Sequence, residues 1–391
     1  MNQGEIVYEN FYISDEEGKT PSIPLYAPDI ALSLDEESDV RPYETYSVEM
    51  RASGFEVMEI QNVQVFAEES SYLPVHPIPT RRQVFEGRDI SNIPDHHLLT
   101  NYGGKNQGQT PHNNGRILSQ IVIPTFITVH LGRPQSNAEN VTVPFLYYLK
   151  NVASSEIYPT WPYEALKANI WAQASLALNR VYTEWYPSQG YDFDITNSTA
   201  FDQAFVKDRN IYSSVAEIVD EVFNQYIQKR NYQEPYYAEY CDGKIADCPG
   251  MKQWGTLTLA NQGYTALQIL RYYYGNDIEI RESNNIQDIT ASYPGVLSLG
   301  SNGQEVRELQ EYLNAIAVNY PAIPIILPVD GVFGETTDQA VRLFQEGLGL
   351  PVTGVAVTVV AALVLAGAYP ALVEQFRVRP NQRTLESPYI Q

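Results

Sequence analysis

Cysteine is nearly absent: Cys241 and Cys248 are the only two in 391 residues. Two are too few for a scaffold built on disulfides, and alone they cannot complete a tetrahedral zinc site. Basic residues are scarce as well, 25 against 47 acidic ones, for a formal charge of -22. So acidic a surface repels phosphate backbones and anionic membranes, so nucleic acid is not expected as a partner. Histidine occurs five times and never after His130. His96, His97 and His112 read as surface histidines rather than ligands, and neither a metal nor a cofactor is expected. Long apolar runs are missing too. The longest, "VAVTVVAALVLAGAY", covers 355–369, short of the roughly 20 residues that span a bilayer. No transmembrane segment is expected, and burial inside the fold or against another subunit is. The opening "MNQGEIVYENFYISDEEGKT" has no apolar core of a leader peptide, so no classical signal sequence is expected.

An apolar fraction of 44% is that of a folded protein, and the length suits several domains. Tyrosine is abundant, 29 beside 13 phenylalanines; its flat face and polar tip suit sugar stacking and protein interfaces alike. Residues 1–80 read as strands. Tyr46, Val48 and Met50 alternate, then Val57, Ile60, Val63 and Val65, with a turn at Ser53-Gly54. Residues 81–120 hold "GGKNQGQTPHNNGR" and read as a linker or long loop. "ILSQIVIPTFITVHLGRP" is strand-like. A helix is expected from about 161 to 184, N-capped by Thr160 with Pro162 in its first turn and a stripe of Leu166, Ile170, Ala174, Ala177 and Val181. "SSVAEIVDEVFNQYIQKR" predicts a second helix, capped by Ser213 or Ser214, with Val215, Ile218, Val222 and Ile227 inward.

Three resemblances follow from these stretches. "DEEGKTPSIPL" and "YSVEMRASGFEVMEIQNVQVF" resemble β-sandwich modules of the carboxypeptidase-regulatory or collagen-adhesin-B type. Such modules begin with one more strand than residues 1–80 contain, which predicts an open sheet edge filled by a segment from elsewhere, including another subunit. "VPFLYYLKNVASSEIYPTWPYEALKANIWAQASLALNR" and "PGMKQWGTLTLANQGYTALQILRYYYG" resemble the opening and closing motifs of the SpoIID domain of sporulation lytic transglycosylases, here over residues 121–282. The resemblance implies Glu156 as general acid/base, protonating a glycosidic oxygen and accepting the 6-hydroxyl proton of muramic acid. It implies Tyr158, Trp161, Gln203, Gln253 and Trp254 along the glycan groove. The alternative for Glu156 is a hydrogen-bonding residue in a relative that only binds. The family's serine after the closing-motif methionine is here Lys252, and the metal-bearing members' histidines are missing. Cys241 and Cys248 therefore stand as a disulfide or free thiols against a partial metal site.

The third resemblance lies in residues 283–370. Leu299-Gly300, Val306, Leu309-Gln310, Leu313, Asp330-Gly331, Phe333-Gly334, Thr337, Ala340-Val341, Phe344-Gln345 and Gly354 resemble the type 1 peptidoglycan-binding domain, a three-helix module. Residues 371–391 read as a polar surface tail. The expected fold is thus multidomain α+β: a β-sandwich, a mixed α/β SpoIID-like domain and a helical module. Two functions are expected. One is a peptidoglycan-directed protein of the cell wall or spore envelope, binding glycan strands and cleaving them through Glu156. The other is a non-catalytic, self-assembling subunit of the spore surface or wall, a homo-oligomer joined through the open sheet edge and the apolar C-terminal segment.

Overall fold

A computed structural model describes residues 8–13, 19–52, 55–75, 88–99, 120–287, 297–317, 323–347 and 373–380, with residues 6, 118 and 354. The chain opens with strand β1 (Tyr8–Ile13) and one helical turn, α1 (Ala31–Leu34). Two ten-residue strands, β2 (Tyr43–Ala52) and β3 (Val57–Phe66), form a hairpin, followed by β4 (Ser71–Tyr72) and β5 (Arg88–Asn92). The middle body contains β6 (Ile123–Pro124), β7 (Phe126–His130), β8 (Asn140–Pro144), α2 (Phe145–Glu156), α3 (Tyr163–Tyr182), β9 (Ile195–Thr196) and β10 (Ile211–Tyr212). It continues through α4 (Ser213–Val222), β11 (Gln225–Lys229), β12 (Tyr240–Cys241), β13 (Met251–Lys252), α5 (Gln253–Asn261), α6 (Ala266–Tyr274), β14 (Ile278–Glu282) and β15 (Ile286–Gln287). Helices α7 (Gln304–Ala317) and α8 (Glu335–Gly347) and strand β16 (Val373–Pro380) complete it.

Among the described residues, β1, β16, β2, β3 and β5 form one five-stranded sheet in the order β1-β16-β2-β3-β5 rather than the two sheets of a sandwich, and β4 pairs instead with β10 of the middle body. Its second layer is the middle body itself. Tyr43 and Phe66 at one end of the hairpin, with Leu98, join the same core as α2 and α3. A segment from far along the same chain enters this sheet. Strand β16 lies antiparallel between β1 and β2, with Tyr8 opposite Val378 and Val48 opposite the same residue. Residues 373–380 are therefore sheet, where a surface tail was expected. Residues 88–92 within the expected linker are also sheet, β5 pairing parallel to β3. Arg88 of β5 ion-pairs with Glu49 of β2 and, at 2.6 Å, with Glu59 of β3.

Helix α3 is the axis of the middle body. Seventeen of its 20 residues are buried, including all five of the expected stripe. A helix enclosed on nearly every side belongs inside a core, and α3 packs against α2, α4, α5, α6 and β11. Its N-cap is Pro162, with no side-chain cap; Thr160 instead donates to Ser33 Oγ at 2.7 Å. The second expected helix stops at Val222, and neither serine caps it. Ile227 points inward as expected but does so from β11, which pairs with β14. The β-branched and aromatic content of "FNQYIQK" favours that strand once a partner exists. His96 corrects the surface-histidine expectation. It is fully buried among Tyr43, Phe66 and Tyr158, and His97 is half-buried. His112 lies outside the described residues.

The helical module has a core of its own: Val306, Leu309 and Leu313 of α7 face Ala340, Val341 and Phe344 of α8 across Phe333. Apolar segment 355–369, the expected third helix, lies outside the described residues.

Candidate functional site

Glu156 is the last residue of α2 and 1% exposed. A carboxylate there meets the negative end of the helix dipole as well as the loss of water. Three donors offset both. Oε2 accepts from Gln173 Nε2 of α3 at 2.9 Å and from the Tyr240 hydroxyl of β12 at 2.6 Å; Oε1 accepts from the Ala204 backbone N–H at 2.8 Å. Gln203, fully buried, closes the ring. It donates to the Tyr240 oxygen at 2.9 Å and to the Gln173 carbonyl at 3.1 Å, and accepts from the Tyr148 hydroxyl at 2.9 Å. Burial, and then the charge of Glu156, push the Tyr240 phenol well above its ordinary range, so it stays a donor. The network links α2, α3, β12 and the 203–204 loop.

The other expected groove residues are core. Tyr158, Trp161 and Trp254 are at most 4% exposed and pack on one another with ring centroids 5.0–6.0 Å apart. The Trp161 indole donates to the Ser33 carbonyl at 2.9 Å. Gln253 opens α5, fully buried, and its side-chain amide has no partner among the described residues. So Glu156 and Gln203 are brought together, and Tyr158, Trp161 and Trp254 form a separate aromatic cluster. Tyr240, Gln173 and Tyr148 were not singled out from sequence. Tyr240 had one visible signal, its place immediately before Cys241.

Cys241 and Cys248 form a disulfide, with Cα atoms 6.1 Å apart. It closes a loop knotted by Asp242, whose carboxylate accepts from the backbone N–H groups of Ile245 at 2.9 Å and Ala246 at 2.7 Å. The loop lies over Lys252, which ion-pairs with Asp247. β12 and β13 run parallel across its base, Tyr240 opposite Met251. Among the described residues no three His, Cys, Asp or Glu side chains converge as a metal site. No helix among them is long and apolar enough to cross a membrane.

The C-terminal module is organised by one polar side chain. Gln310, 1% exposed, accepts from the Gly331 N–H at 2.9 Å and donates to the Val332 carbonyl at 2.9 Å and Asp330 Oδ1 at 3.1 Å. Gly331 sits at φ +73°, where a Cβ would press on the Gly303 carbonyl at 2.7 Å. Only glycine fits so close an approach in that backbone conformation. The "DGVFG" turn is thus bound to the start of α7, with Asn302 bridged to Val332. Residues 302–356 match the peptidoglycan binding domain family.

Shorter similarities accompany it. A UPF0182 protein of Frankia casuarinae is 50% identical over 49 residues, 12% of this chain and 5% of that protein. One of Frankia alni is 47% identical over 50 residues, 13% of this chain and 5% of that protein. One of Micrococcus luteus is 50% identical over 77 residues, 18% of this chain and 7% of that protein. The chain therefore spans 5–7% of the length of these relatives. Among solved structures, the SleB N-terminal domain aligns at 36% identity over 19% of this chain and 94% of that one, with a TM-score of 0.16.

Proposed function

We propose that this protein is a non-catalytic, peptidoglycan-binding component of the cell wall or spore envelope, held on glycan by its C-terminal module. The middle body, whose motifs resemble a transglycosylase, serves in this reading as a rigid scaffold. The observation that carries the reading is the enclosure of Glu156. A general acid must come within hydrogen-bond reach of the glycosidic oxygen, and both oxygens of this carboxylate are occupied by three internal donors at 1% exposure. The closed aromatic cluster of Tyr158, Trp161 and Trp254 supports it in the same way. The disulfide suits an oxidising location outside the cytoplasm. Leu299, Ile325, Leu327 and Val332 of the module are half or more exposed, apolar surface on which sugar-ring faces and peptide methyl groups can rest.

The test is co-sedimentation of the purified chain with peptidoglycan sacculi, followed by chromatography of the soluble fraction. The chain is expected in the pellet, with no 1,6-anhydro muropeptides released. Phe333→Ala removes a fully enclosed ring from the module core and should leave the chain in the supernatant. Released anhydro products would restore the lytic transglycosylase function to Glu156, and wild-type protein that stays in solution would remove the glycan reading altogether.

A further inference from the structure

Two buried arginines in the middle body are treated differently. Arg180 of α3 meets Asp202 at 2.7 Å, with side chains 4% and 0% exposed. Asp202 is further held by the Tyr186 hydroxyl at 2.5 Å and by the Thr196 hydroxyl and N–H. That pair is compensated. Arg209 is 1% exposed, yet among the described residues no carboxylate pairs with it. Its acceptors are neutral, Gln64 Oε1 at 2.6 Å and the Tyr212 hydroxyl at 3.2 Å, and its Nε has no partner among the described residues. A buried guanidinium without a counter-charge costs several kcal/mol, and a bound anion would supply the missing charge.

Arg209 forms part of the wall of a cavity of about 240 Å³. The wall also includes Arg133, His97, Asn197, Ser198 and Thr199, a set rich in hydrogen-bond donors. The one acid in it, Asp95, is already engaged by Arg41 at 3.0 Å. His96, beneath the wall, is held neutral first by burial and next by the positive charge of Arg209. Arg209 and Arg133 thus bring two positive charges to this wall in a chain whose formal charge is -22. The volume is below the roughly 300–1,000 Å³ of drug-sized pockets, which suits an organic acid no larger than one sugar or a dipeptide.

We propose that this cavity is a binding site for a small carboxylate, with Arg209 as the buried counter-charge and Arg133 at the rim. Planar carboxylate matches the guanidinium fork better than a spherical anion does. The site is separate from the peptidoglycan-binding module, so it stands whether or not the module holds glycan. Two sources of the carboxylate are distinguishable: the lactyl group of N-acetylmuramic acid and the terminus of D-alanyl-D-alanine.

The test is calorimetric titration of the full chain with each acid, using N-acetylglucosamine as the neutral sugar of otherwise similar shape. Saturable binding of one acid is expected, at least about tenfold tighter than the neutral sugar, the ratio that ~1.4 kcal/mol produces. Ser198→Phe, a half-buried position facing the cavity space, should weaken it by about the same factor. Arg133→Ala, at an exposed position, should weaken it several-fold and flatten its salt dependence. Equal binding of the neutral sugar, or no binding of either acid at about 10 mM, well beyond a millimolar Kd, would overturn the assignment. Unchanged affinity in both variants would do the same.

Discussion

At Glu156 the same atoms admit two roles, and energetics separates them. In a catalytic role the carboxyl is an expense to the fold, and removing it leaves stability intact or improved. In the role proposed above it is the shared acceptor of Gln173, Tyr240 and Ala204 N–H. Glu156→Ala would leave three buried donors without an acceptor, each worth about 1–3 kcal/mol. The expected loss is at least about 3 kcal/mol in urea unfolding, with sedimentation on sacculi unaffected as long as the fold persists. A variant as stable as the parent would contradict the structural role. Position 156 was legible in the sequence because the motif around it, "NVASSEIYPTWPYEALKA", is dense in recognisable residues. Its surroundings were not. Tyr240 lies 84 positions away and Gln173 sits on a helix whose every face is apolar or buried, and neither spacing carries a local signal.

Elements show a similar division. The stripe on α3 and the cores of α7 and α8 follow from 3.6-residue periodicity, and all are buried as that period demands. Where the outcome depended on a distant partner, periodicity misled. "FNQYIQK" continues the helical pattern of α4 but pairs with β14, and the C-terminal "VEQFRVRP" has meaning only between β1 and β2. The β12–β13 unit also depends on such a partner, and the disulfide provides it. Cys241 and Cys248, seven positions apart, close a short loop that holds β12, and so the Tyr240 phenol, against the Glu156 ring. Loop-closure entropy gives about 2–2.5 kcal/mol for a ring of this size. Reduction, or Cys241→Ser with Cys248→Ser, should lower unfolding stability by about that amount. Amide exchange at Tyr240 and Ala204 should quicken more than at the helical module. A loss confined to the loop, with exchange at Ala204 unchanged, would mean that the disulfide does not brace the network.

On the scale of the whole molecule, the tyrosines among the described residues go into the core more than onto the surface they were expected to serve. Tyr148, Tyr240 and Tyr274 are buried, and burial raises each phenol well above its ordinary range; Tyr147 is pushed up to about 12 by the same cause. The sign of the consequence follows from proton linkage. In the unfolded chain these phenols ionise near 10, while in the folded chain they remain protonated. Below about pH 10 the two states bind the same protons, and the full stability is present. As pH rises above that, the unfolded state sheds protons that the folded state keeps, so stability falls through the interval up to about 12 and beyond. Several phenols act together, and they sit in the single core that joins the N-terminal hairpin to α2 and α3. The middle body and the five-stranded sheet should therefore lose structure in one alkaline transition. Absorbance at 295 nm is expected to rise steeply in step with the loss of far-UV circular dichroism. Ionisation of all 29 tyrosines before any change in dichroism would mean that these phenols are open to water and that the core is not closed around them.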